Sequence, residues 1–74
     1  MASKLREEAA DQYDQAADEL EAAIDHLRTT AKRFRADDVG SGCAHAWAAH
    51  GHMLNAETLL KALAVLQASR SNPH

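Results

Sequence analysis

The sequence predicts an all-α fold: two long helices joined by one turn and folded back as an antiparallel hairpin. Three observations carry this expectation. Glycine and proline are scarce, three and one in 74 residues. The turn signal between the ends is Val39-Gly40-Ser41-Gly42. The segments on either side are rich in Ala, Leu, Glu, Gln and Arg, all good helix formers.

The first helix is expected over about residues 3–36. Tyr13, Leu20, Leu27 and Phe34 recur every seven residues, and Ala9, Ala16 and Ala23 fill the complementary positions. Ala10, Ala17, Ile24 and Ala31 widen the stripe into the broad apolar face of a bundle helix. The opposite face carries Glu7, Asp11, Asp14, Asp18, Glu21 and Asp25. Such a charge run reads as a solvated outer face rather than a cation-binding ladder. Lys32, Arg33 and Arg35 crowd the last turn, where cations suit the helix dipole.

The turn is placed at residues 37–42, with Asp38 or Ser41 as N-cap of the second helix. That helix is expected over about residues 42–69, closed by Asn72-Pro73. Ala46, Ala49, Met53, Ala56, Leu60 and Leu63 run along its centre. His45, His52, Leu59 and Leu66 make one flank; Cys43, Trp47, His50, Leu54 and Glu57 lie towards the other. Little of this helix is frankly polar, and one partner helix does not cover so wide an apolar surface. The expected architecture is therefore a single domain over 1–74 that homodimerises into an antiparallel four-helix bundle. The expected oligomer interface comprises Tyr13, Leu20, Leu27, Phe34, Trp47, Met53, Leu54, Leu59, Leu60, Leu63 and Leu66.

Composition narrows the function classes. A chain this short is marginally stable without a staple. One cysteine allows no intramolecular disulfide and fits a reducing setting; Cys43 is read as a small buried residue. Residues Met1 to Ala10 are charged and lack an apolar secretory core. The apolar run Cys43 to Leu66 is interrupted by three histidines, Asn55, Glu57 and Lys61, which argues against a membrane span. The expected location is cytoplasmic. A net charge of −3 argues against nucleic-acid binding, although Arg28, Lys32, Arg33 and Arg35 make a basic end on the first helix. No nucleophile elbow, phosphate loop or dinucleotide fingerprint is present, so the chain is read as non-enzymatic. The stretch Ala48 to Leu66, with Ala56 to Leu63 at its centre, resembles the closing helix of HEPN-type helical proteins. The spaced Arg and His signature of the RNase members is not met, since Arg70 and His74 have three residues between them. No activity is carried over.

The densest chemistry is Cys43, His45, His50, His52 and Met53, five soft or borderline metal-ligand types within eleven residues. Their spacing does not make a chelate on one helix, which needs side chains at i, i+3 or i, i+4. His45 and His52 share a face but stand about 10 Å apart along the axis. His50 points about 200° away from His52. A turn centred near Val39-Gly40 would place His26 at the level of His52, on the flank that faces it. Glu19 then follows on the same flank, and Glu57 stands ready to serve His50. Three readings result. The histidines pack at the margin of an interaction or ligand-binding module. They bind zinc, nickel or copper through His26, His52, His45, His50, Glu19 and Glu57 shared across helices or protomers. Or they make the oligomer pH-sensitive.

Overall fold

The structure, a computed structural model, describes residues 2–71 and the side chains of residues 4–69. It is all-α: helix α1 spans Ala2–Arg35 and helix α2 spans Val39–Ser71. The two pack side by side as a hairpin measuring 58 × 20 × 12 Å. That is a single layer about one helix thick. The closing Asn72-Pro73 signal lies outside the described residues.

The connection is tighter than the glycines suggest. It occupies residues 36–38, not 37–42. Asp37 adopts φ 61°, the left-handed conformation that ends a helix. The Asp37 N–H donates to the Phe34 carbonyl at 3.1 Å, and the Asp38 N–H to the Arg33 carbonyl at 2.8 Å. These two bonds make a Schellman closure with aspartate where glycine is usual. Asp38 then N-caps α2, its Oδ1 accepting from the Ser41 N–H at 3.3 Å. Asp37 and Asp38 thus complete the reversal, and Gly40 and Gly42 fall inside α2.

Gly42 has another use. It is buried, and a Cβ placed there would stand 2.6 Å from Phe34 Cδ1. The Thr30 hydroxyl lies 3.1 Å from the Gly42 carbonyl and 2.9 Å from the His26 carbonyl, either of which accepts its proton. Glycine here lets α2 approach α1 closely.

The buried row follows from that approach. It comprises Ala16 and Ala23 on α1 and Gly42, Ala49, Ala56 and Leu63 on α2, at heptad intervals on both helices. The hairpin therefore has an interior of its own, built of small residues. The large residues Tyr13, Leu20, Leu27 and Phe34 flank this row and stay 41–48% exposed. Facing residues have numbers that add to 71 or 72, as in Thr30–Gly42 and His26–His45. A turn centred near Val39-Gly40 would instead give a sum of about 79. The difference is one heptad, which keeps every residue on its expected face but changes its partner. All six acids of the outer stripe, Glu7, Asp11, Asp14, Asp18, Glu21 and Asp25, are exposed. No helix among the described residues is long and apolar enough to cross a membrane.

Candidate functional site

The two sides of the small-residue row differ in chemistry. At about 100° per residue, Glu19 and His26 project to one side of Ala16 and Ala23, and His45 and His52 to one side of Gly42 and Ala49. Antiparallel packing brings these sides together at one edge. There, His26 Nδ1 lies 2.9 Å from His45 Nδ1, across 19 residues of sequence. The two rings are tilted by 35° with centroids 5.1 Å apart. His26 also stacks on His52, centroids 5.6 Å apart and planes 13° from parallel. His52 Nδ1 meets Glu19 Oε2 at 2.5 Å, and the Asn55 amide donates to Glu19 Oε1 at 3.4 Å. The result is a polar chain along one edge: His45, His26, His52, Glu19, Asn55.

Each link has a definite protonation logic. Between His26 and His45 one Nδ1 carries the proton and the other accepts it. The His52–Glu19 contact has His52 Nδ1 donating to a carboxylate, a charge-assisted bond that becomes an ion pair when the ring is protonated. The hydrogen bond from His52 holds the Glu19 carboxyl below its ordinary pKa; burial pushes the other way, and the Asn55 amide and the His52 charge add to the lowering. His52 and Glu19 are about one-third exposed, so water reaches the edge.

The expected ligand set is divided by the fold. His26, His45, His52 and Glu19 come together. His26 opposes His45 in register and only stacks on His52, because the tighter turn slides the helices by a heptad. His50 and Glu57 lie on the other side of the hairpin, lining a groove with Leu20, Met53, Leu54 and Leu60. Glu57 is engaged with Lys61 at 3.0 Å, an i, i+4 pair. Among the described residues, no group of three or more His, Cys, Asp or Glu side chains is arranged to hold a metal ion. Cys43 is exposed, not buried, since the seam position beside it is taken by Gly42. Asn55 was missed by sequence reasoning; its position three residues after His52 was the available signal.

The opposite face is apolar. Tyr13, Leu20, Ile24, Leu27 and Phe34 of α1 lie on the same side as Met53 and Leu60 of α2, all 41–48% exposed. Leu54 is 48% and Trp47 75% exposed further round α2. Leu59 and Leu66 fall towards the histidine edge, where Leu59 shares a groove with Glu19 and His52. Leu63 does not belong to an outer interface: it is 1% exposed, closing the hairpin's own seam. No family model, curated protein sequence or solved structure matches the chain, so its function is read from its own geometry.

Proposed function

We propose that this protein is a non-enzymatic, self-associating helical module, in which two hairpins cover each other's apolar faces as an antiparallel four-helix bundle. The observation that carries this reading is the continuous face formed by Tyr13, Leu20, Ile24, Leu27 and Phe34 with Met53 and Leu60. Its extent fits a partner of the same kind. The hairpin exposes 5569 Å², whereas a compact monomer of this size exposes about 4,450 Å². The excess of about 1,100 Å² is comparable to what one partner buries in a standard interface, about 800 Å². A two-fold axis presents the same heptad rows on both sides, so one face serves as donor and acceptor of knobs. The groove beside Leu20, Met53, Leu54 and Leu60, about 490 Å³ and open, is then filled by the second copy instead of a small ligand.

The histidine edge lies away from this face. A bundle closed through the leucines leaves His26, His45 and His52 on its outside, which argues against a pH switch acting at the interface. The basic residues Arg28, Lys32, Arg33 and Arg35 sit at the C-terminal end of α1, where the dipole accounts for them without nucleic acid. Sedimentation equilibrium tests the proposal. A dimer mass is expected, converted to monomer in Leu20→Lys/Leu27→Lys. A monomer mass for the parent chain at all concentrations would refute it.

A further inference from the structure

We propose that the His26–His45 pair is a cross-helix chelate for a divalent transition cation of tetragonal preference, Cu(II) or Ni(II), bound through both Nδ1 atoms and completed by water. The spacing of the two nitrogens already matches what such an ion needs. With metal–nitrogen bonds of about 2.0–2.1 Å, two ligands at a right angle are about 2.9 Å apart, and at the tetrahedral angle about 3.3 Å. The observed Nδ1–Nδ1 separation is 2.9 Å. That distance is also ordinary for an N–H···N hydrogen bond. The pair therefore holds a proton across the spacing that an ion would bridge, and a tilt of each ring turns the two Nδ1 lone pairs from each other towards a common point.

Binding displaces that proton cleanly. The donor ring releases its Nδ1 proton to water and takes one at Nε2, changing tautomer. Both rings stay neutral, both Nδ1 lone pairs face the ion, and no electron is transferred. Imidazole nitrogens with water as co-ligand suit Cu(II) and Ni(II), and a square arrangement does not suit zinc. The partly exposed edge leaves the remaining positions to solvent. His52 stacks on His26 and is itself anchored by Glu19, so the His26 ring plane is held from one side. Two protein ligands are enough for a site of this openness, in keeping with the absence of a three-ligand group among the described residues.

The ligands lie on different helices, so the ion clamps the hairpin. Each chain carries its own site on the edge away from the apolar face, independent of self-association. The test is titration of the full chain with NiCl₂, and of the Cys43→Ser chain with CuCl₂ because the exposed thiol reacts with copper. Expected are one ion per chain, a rise in melting temperature with Ni(II), and electron paramagnetic resonance showing two nitrogen couplings per copper. His26→Ala and His45→Ala should each weaken binding at least about tenfold, and His50→Ala should leave it unchanged. His26→Ala also removes the stack on His52, so the copper spectrum of the unaltered histidine pair is the independent readout. Absence of saturable binding, one nitrogen per copper, or unchanged titration in either ligand variant would overturn the proposal. A monomeric chain that still binds one nickel leaves this site standing and refutes only the bundle.

Discussion

The ring of Phe34 occupies the space beside the Cα of Gly42, where an added Cβ would meet Phe34 Cδ1 at 2.6 Å and Cε1 at 2.7 Å. Glycine usually weakens a helix by about 1 kcal/mol relative to alanine. At Gly42 the close approach outweighs that penalty. Gly42→Ala should destabilise by about 1 kcal/mol net, since overpacking costs about 1–3 kcal/mol. Gly40 and Gly51 have nothing within 4 Å of the same position, and alanine at either should stabilise by about 0.5–1 kcal/mol. Urea melts of the three variants separate the cases. In a Phe34→Ala background the sign at Gly42 should reverse.

Asp37 carries a left-handed φ of 61°, a conformation that costs a side-chain-bearing residue about 1–2 kcal/mol. Asp37→Gly should raise stability by up to about 1 kcal/mol while keeping both closing hydrogen bonds. A thermal melt that is unchanged or lower would show that the aspartate side chain supports the turn.

The Glu19–His52 contact sets a pH dependence. Glu19 titrates below its ordinary value in the folded chain, chiefly through the His52 hydrogen bond. The unfolded chain therefore takes up this proton first as pH falls. The contribution is fully present above the unfolded carboxyl pKa, about 4.3, and is lost as pH falls through the lower folded value. Melting temperatures from pH 6 to 3 should fall more steeply for the parent chain than for Glu19→Gln. Parallel curves would assign the acid loss to other groups.

Ala23 and Ala49 are 2% and 1% exposed and face each other in register. Ala23→Leu should destabilise by about 1–3 kcal/mol or more, although leucine is a good helix former. Far-ultraviolet circular dichroism during urea titration reads this directly. Leu20→Lys, on the outer face, should leave the hairpin helical at high dilution and weaken association instead.

Much of this was legible because helices announce themselves by composition and period. The two helices, a cap at Asp38 or Ser41, the solvated acidic stripe and the flank that gathers Glu19, His26, His45 and His52 all follow from residue type and spacing. Three features did not. The paired glycines read as a turn, but turn chemistry lay in Asp37, whose left-handed φ no pattern announces. The large residues Tyr13, Leu20, Leu27 and Phe34 mark the apolar stripe by their bulk, yet within the hairpin they flank the contact instead of filling it. Here alanine and glycine take that place, since a lone pair of helices gains contact by coming close. His52, the expected neighbour of His26, does lie against it as a stacked ring, but the hydrogen-bonded partner is His45, because a heptad shift leaves every face unchanged.

The same periodicity has a consequence for how the chain finds its register. A row of alanines seven residues apart looks nearly identical after sliding one helix along the other by seven. In the slipped alignment Ala23 would meet Ala56 and the seam would still close. Packing alone therefore sets the depth of the contact but not its phase. What distinguishes the observed alignment is the three-residue reversal at residues 36–38 and bonds that a slip of seven would break: Thr30 to Gly42 and Glu19 to His52. Directional polar contacts of this kind select among alignments that hydrophobic burial leaves degenerate. The histidine edge is thus the vernier of the hairpin, and an ion seated on it would lock the scale at one mark.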